Sequence, residues 1–392
     1  MAGTDRAVVA AQAMAIADAW SPDGAPPSWW LTAATFSAIA EQDVLLDLAS
    51  AIPQDRLPPL LLAAAVRYMA TGSEIARYYP EPGGEQPPPD PSFGAGLAAF
   101  AHARRDDLAG LCASHRYQMN EVGRCADVLP ALGRIADETG RPLAVVDLGT
   151  GAGLGLNLDR YRYTYRTPDG TAHDVGDAAA RVHIECRVRT GAPPLPRRIP
   201  AIADRVGVDV EPLDVTDREV LAWLAACVPP EAGAVTRFAA AAELVRSEPA
   251  RRVRGDLLDV LPDVIASVPA DAHVCLIDTY VHVFLGPDDL ERFDAIVARI
   301  GRERDLDWVS VDPLVPLGPD ASRTVQGLDV PVDWVRENRD GGVFGVIGRV
   351  RVRDGARTAA VLGRAHPGAA WLDWSPTPPS ARPIPARAAR RP

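Results

Sequence analysis

The stretch Val145-Val146-Asp147-Leu148-Gly149-Thr150-Gly151-Ala152-Gly153-Leu154-Gly155 decides how the rest of this chain reads. An apolar run ends in an acid, and glycines at alternate positions then lead into a helix-like stretch, so a ligand can approach the backbone where side chains would block it. A carboxylate or phosphate bound there would also gain from the positive end of the following helix. The dinucleotide fingerprint G-x-G-x-x-G fails: counted from Gly149 the sixth position is Leu154, and from Gly151 it is Leu156.

Outward from this loop, short apolar runs alternate with helical stretches from Arg141 onward, the pattern of a parallel sheet covered by helices. The pattern predicts strands near Leu143 to Leu148, Arg205 to Val210, Arg251 to Arg254, His273 to Ile277 and Leu306 to Val311. Helices are predicted between them, among them Arg218 to Cys227, Val235 to Arg246 and Pro287 to Ile300. Two last runs, Val343 to Val352 and Thr358 to Ala365, flank Asp354-Gly355, a hairpin signal. Between the first and second strands lies an insertion of about residues 161–200. Tyr161, Tyr163 and Tyr165 alternate with polar residues, Pro168-Asp169-Gly170 turns the chain, and Val182, Ile184, Cys186 and Val188 alternate again, which predicts an added β-hairpin. Residues 1–135 are rich in alanine and leucine; Phe36 to Leu48 and Leu60 to Met69 have helical spacing, with Pro58-Pro59 and Pro80 to Pro91 as separators. The expected organisation is a helical unit over 1–135, an α/β domain over 136–374 and a disordered Pro/Arg-rich tail over 375–392.

Composition narrows the chemistry. The 392 residues carry 41 basic and 52 acidic side chains, a formal net charge of −11, which argues against a general nucleic-acid binder. No lysine occurs anywhere, so every basic residue is an arginine. That excludes Schiff-base chemistry, a pyridoxal anchor and a phosphate-loop lysine. Cys112, Cys125, Cys186, Cys227 and Cys275 are odd in number and unpaired in spacing, as expected of reduced thiols in a cytoplasmic protein. The apolar runs are far shorter than the roughly 18 residues of a membrane span. Ala7 to Ile16 only loosely resembles an export signal, with Asp5 before it and Asp18 after it. The seven histidines show no ligand spacing and no G-x-S-x-G occurs, so neither a metal site nor an α/β serine hydrolase is supported.

The acid-x-G-x-G-x-G loop from Asp147 to Gly153 resembles that of class I S-adenosylmethionine-dependent methyltransferases. Val206-Gly207-Val208-Asp209 is similar to the family's second strand with its ribose-binding acid, and Arg254-Gly255-Asp256 to the third-strand element whose aspartate lies beside the adenine. Leu276-Ile277-Asp278-Thr279-Tyr280 has the form of the fourth-strand segment that borders the substrate. The spacing from the loop to Asp209 exceeds the family's, and the insertion accounts for the extra length. The resemblance implies a Rossmann-like, seven-stranded α/β sheet roofed by the helical unit. It also implies S-adenosylmethionine as cofactor, at Asp147, Gly149, Gly151, Gly153, Asp209 and Asp256, and a small-molecule methyl acceptor. Asn120-Glu121-Val122-Gly123-Arg124 and Arg160-Tyr161-Arg162-Tyr163 further resemble an uncharacterised family of actinobacterial proteins, a likeness that supplies no activity.

On a helix Asn120 and Arg124 would share a face and reach the carboxylate of the cofactor's methionine; an ordinary solvated i to i+4 pair looks the same. Tyr161, Tyr163 and Tyr165 read as the buried face of a hairpin or as an aromatic wall. Asp278, Tyr280 and His282 are the candidate catalytic group, with His282 as base because an imidazole titrates near neutrality. Two alternatives stand beside methyl transfer: nucleoside binding without turnover, and the same fold running other chemistry.

Overall fold

The computed structural model describes residues 3–21, 23–281, 284–318, 321–323, 328, 330–353 and 356–374. The Asp354-Gly355 turn, His282 and the predicted tail at 375–392 therefore lie outside the described residues. Six helices come first: α1 (Arg6–Ala19), α2 (Trp30–Glu41), α3 (Asp43–Ser50), α4 (Pro58–Met69), α5 (Phe93–Ala103) and α6 (Arg105–Ser114). The single helical stretch predicted over Phe36 to Leu48 breaks at Gln42, whose backbone is extended (ψ 116°). Pro58-Pro59, predicted as a separator, instead opens α4, where the first turn needs no proline N–H.

After α7 (Cys125–Thr139), ended by Gly140 in the left-handed region (φ 61°), the sheet begins. Its strands are β1 (Leu143–Leu148), β2 (Arg162–Arg166), β3 (Ala172–Val175), β4 (His183–Thr190), β5 (Ile202–Asp209), β6 (Arg251–Arg254), β7 (His273–Thr279) and β8 (Leu306–Pro313). A separate antiparallel pair, β9 (Val315–Gly318) with β10 (Ala321–Arg323), precedes β11 (Gly345–Arg353), β12 (Ala356–Ala365) and β13 (Trp371–Trp374). The remaining helices are α8 (Arg218–Ala226), α9 (Ala232–Ser247), α10 (Leu257–Ser267), α11 (Pro287–Ile300) and α12 (Val332–Arg339).

Eleven strands form one sheet in the order β3-β2-β4-β13-β12-β11-β8-β7-β1-β5-β6, so the predicted seven-stranded sheet is corrected to a larger one. The insertion causes the difference. Its hairpin is β2 with β3, turned at the predicted Pro168-Asp169-Gly170, while β4 lies on the other side of β2, parallel to it. β4 then pairs in parallel with β13, which pairs antiparallel with β12, so the insertion extends the main sheet instead of standing apart from it.

The central strands β6-β5-β1-β7-β8 are all parallel. β1 is buried at every position, as a strand covered on both faces must be. Alternate residues serve opposite faces: Val145, Ile277 and Val309 pack with α7 and α9, and Val146, Leu276 and Trp308 with α10 and α11. Helix α7 belongs to this sheet core through Val128, Leu129, Leu132 and Ile135, so a boundary at residue 135 would fall inside it. The helical unit α1 to α6 has its own apolar core, which takes in Trp223 and Cys227 at α8 and so is joined to the sheet layer. No helix among the described residues is long and apolar enough to cross a membrane.

Candidate active site

The chain leaves β1 toward β5 on one side, and β7 lies on the other, so the order of strands reverses at β1. A crevice outside the carboxyl end of the strands is expected at such a point. The glycine loop occupies it. Gly149, Gly151 and Gly153 all have left-handed backbones (φ 66°, 53° and 80°), which glycine adopts without the Cβ penalty of other residues. A side chain at Gly149 would strike Val281 at 2.5 Å, whereas at Gly151 nothing lies within 4 Å, so that position faces open space.

Asp147 sits on the β1 face shared with Val145 and Ile277, and its Oδ2 accepts a hydrogen bond from Thr150 Oγ1 (2.7 Å). Burial pushes its carboxyl up to about 7; the Thr150 bond and the Arg124 charge pull the other way, and Asp209 adds to the rise. Asp209, at the end of β5, ties the loop: Oδ2 accepts from Gly151 N–H and Oδ1 from Glu211 N–H, both at 2.8 Å. Asp256 is exposed and caps α10 through Leu258 N–H (2.8 Å).

The predicted helical pairing of Asn120 with Arg124 is corrected. Residues 115–121 are not helical and Val122–Arg124 is a single tight turn, so the two residues do not share a helix face, although both line the spaces described below. Asn120 donates to Leu224 C=O (3.1 Å). Arg124 is buried beneath the roof; it donates to the carbonyls of Met119, Glu121 (3.3 Å) and Thr279 (3.3 Å) and lies over the Tyr280 ring at 5.0 Å. Among the described residues no carboxylate stands within ion-pair distance of it. Glu121 is instead paired with Arg237 of α9 (3.0 Å) and also accepts from Gly123 N–H (2.7 Å).

Two spaces open on either side of this Met119–Arg124 segment. One, of about 80 Å³, is lined by Asp147, Gly149, Thr150, Gly155, Ile277 and Thr279. The other, of about 160 Å³, is mainly apolar, lies between the helical unit and the sheet, and is lined among others by Trp20, Phe36, Leu60, Arg67, Tyr117 and Tyr280. Met119, Asn120, Glu121 and Arg124 line both.

The candidate catalytic group separates. Tyr280 lines the apolar cavity, with a left-handed backbone (φ 65°) that costs a non-glycine residue about 1 kcal/mol or more. Burial pushes its phenol well above the ordinary value, so the hydroxyl stays protonated, and among the described residues it has no hydrogen-bond partner. Asp278 lies on the opposite face of β7, where Oδ2 accepts from Trp308 Nε1 (2.6 Å) and the carboxyl shares a hydrogen bond with Asp312. Burial pushes it up to about 6, yet it lines neither space. His282 lies outside the described residues. Tyr161, Tyr163 and Tyr165 are wholly buried and donate to the carbonyls of Leu154 (2.5 Å), Leu158 (2.6 Å) and Ala126 (2.8 Å); they form a hairpin face, not an acceptor wall.

Sequence reasoning missed Arg67, Trp20 and Glu231. Arg67 had a signal: it is the one charged residue in the otherwise apolar Pro58–Met69. Glu231 is buried and accepts from Thr32 N–H (2.9 Å) and Thr32 Oγ1 (2.7 Å). Burial pushes its carboxyl up to about 7.

No curated protein matches the chain. Residues 22–374 match the model of a family described as an uncharacterized protein conserved in bacteria (DUF2332), a description that carries no activity. The match spans most of the 392 residues, and the chain belongs to that uncharacterised bacterial family.

Proposed function

We propose that the protein binds S-adenosylmethionine at the glycine loop and presents its methyl group to a small molecule in the adjoining apolar cavity. The observation that carries this reading is the shared wall: the space at the strand switch point and the cavity meet along Met119–Arg124. Group transfer needs donor and acceptor held close and aligned, and two sites with one partition provide that. The parallel order β6-β5-β1-β7-β8 around the loop supports it as well.

Part of the expected set suits the cofactor: Asp147, Gly149, Asn120 and Arg124 line the space at the loop, whereas Gly151, Gly153, Asp209 and Asp256 stand outside its lining. Open space at Gly151 leaves room for a ligand against the backbone. Arg124, a buried guanidinium without a carboxylate partner among the described residues, would receive the ligand carboxylate, and Asp147 the ammonium. Asp209 would take the ribose hydroxyls on the lone pairs left by its two backbone bonds, and Asp256 would lie beside the adenine. When bound, the cofactor supplies an electrophilic methyl group on a sulfonium. The chain's own part is to orient: Asp209 fixes the loop, Arg124 anchors from the partition, and Tyr280 forms part of the acceptor cavity's wall.

Calorimetry with S-adenosylmethionine, S-adenosylhomocysteine and NAD tests this. The first two should bind and raise the melting temperature. Gly151→Val should abolish binding while the circular dichroism spectrum is kept, at a stability cost of about 1–2 kcal/mol for its left-handed backbone. An absence of binding at millimolar ligand, or tighter binding of NAD, overturns the assignment.

A further inference from the structure

The apolar cavity contains more polar chemistry than its walls need. Arg67 projects from α4 into a lining of Ile16, Phe36, Leu60 and Ala64; its guanidinium donates to Val228 C=O and lies 5.8 Å from the centre of the Tyr79 ring. Among the described residues it has no ion-pair partner. The nearby acid, Glu231, is turned toward Thr32 and pushed by burial toward its neutral form. Burial also lowers the Arg67 pKa from its ordinary value, yet a guanidinium stays charged at neutral pH. A second cation, Arg124, stands on the sheet side of the same cavity.

Two cavity-lining residues also carry buried donors without partners among the described residues. Trp20 Nε1 and Tyr280 Oη are both buried, in side chains that are 7 % and 8 % exposed, and neither makes a hydrogen bond among the described residues. A guanidinium on an apolar wall with no ion-pair partner among the described residues is complementary to an acceptor-rich anion, because a charge left without a counter-charge in such a place is costly. The volume of about 160 Å³ is several times the roughly 10–15 Å³ that one water needs by the same measure. The apolar lining asks for a hydrocarbon body, and the buried, ion-paired carboxylate of Glu121 on the same wall disfavours a dianion such as a phosphate monoester.

We propose that this cavity binds an apolar molecule bearing a carboxylate, anchored by Arg67. The carboxylate takes the Arg67 fork, the body fills the space between α1, α2 and α4, and the far end meets Tyr280 and Arg124 at the partition. That this molecule is the methyl acceptor rests on the cofactor reading above; its binding does not.

The test is calorimetry on the full chain with decanoate and 4-phenylbutanoate, each against its alcohol and, for the ten-carbon chain, against decyl phosphate. Wild type should bind each acid at least tenfold more tightly than the matching alcohol, and decanoate more tightly than decyl phosphate. Arg67→Gln should bring the acid-to-alcohol ratio close to one, and Arg67→Lys should keep a reduced preference for the acid, because it retains charge but not the fork. Ala63→Trp, on the cavity wall, should weaken acid and alcohol alike. Equal binding of acid and alcohol by wild type overturns the proposal without recourse to any variant, as does a preference for the phosphate or an unchanged ratio in a folded Arg67→Gln protein. Parallel titrations with S-adenosylhomocysteine separate the two readings. Acid discrimination without a nucleoside response keeps the carboxylate site and removes the acceptor role; the reverse result keeps the cofactor and removes this proposal.

Discussion

Asp147 combines an acid at a strand end with a position inside the roofed crevice, and burial is what moves its titration toward neutrality. A cationic ammonium next to it favours the ionised carboxylate, so cofactor affinity should rise as pH increases through about 7 and level off above. Calorimetry with S-adenosylhomocysteine from pH 5.5 to 8.5 reads this directly. Asp147→Asn should remove the step and weaken binding about ten- to a hundredfold, the worth of a bond to a charged group. A flat wild-type profile contradicts the pairing. Local sequence carried this residue because alternating glycines after a strand constrain their own surroundings. It did not carry Asp278, although one rule would have helped: in the register Asp147 stands opposite Ile277, so its neighbour Asp278 faces the other side. Arg67 stood out as the one charge in an apolar helix, but its place, like that of Trp20, depends on which helix covers which part of the sheet.

Among the elements, the four-residue β13 bridges β12 and β4. It joins the insertion to the terminal hairpin, and Asp373 fastens it: Arg189 of β4 and Arg364 of β12 both pair with that carboxylate. The acid is nearly buried and its pKa is held below the usual carboxylate range, chiefly against burial and by the Arg189 hydrogen bond and charge. Asp373→Ala leaves two arginines without their partner and should cost about 1–3 kcal/mol, discounted for the partial exposure of Arg189. Hydrogen exchange should quicken over residues 162–190 while the glycine loop keeps its protection; equal loosening of both would show that the insertion is not held at this point. The central strands were legible because continuous apolar runs bounded by turns leave few other readings. The place of β4 was not, because its partner β13 is contributed from 184 residues away, as the Arg189–Asp373 separation shows.

Across the whole molecule, buried carboxyls of opposite kinds set the stability profile. Asp147 and Glu231 titrate at about 7 and Asp278 at about 6, and Asp127 is also pushed well above its ordinary value by burial. Their folded forms bind protons that the unfolded chain has released, so stability falls as pH rises through the window from about 4 to 7. Asp307, ringed by His273 (2.8 Å), Arg349 (2.7 Å) and Arg353 (2.6 Å), is held well below its usual range, and Glu138 is lowered to about 2. Their contribution is present above about pH 4 and is lost below it. His366, lowered by burial to about 4, opposes the first trend. Thermal melts should therefore peak near pH 5 and fall several degrees by pH 8, and Asp278→Asn should flatten the descent; a maximum at pH 7.5 or above would contradict this. The parallel seating of β4 against β13 also has a temporal meaning. Thr190 and Asp373, bonded at 3.1 Å, leave the ribosome 183 residues apart, roughly ten to forty seconds at ordinary elongation rates. Throughout that interval the nascent insertion presents an unpaired β4 edge and the apolar faces of Tyr163, Tyr165, Ile184 and Cys186, and its safe passage depends on shelter that the chain itself has not yet made.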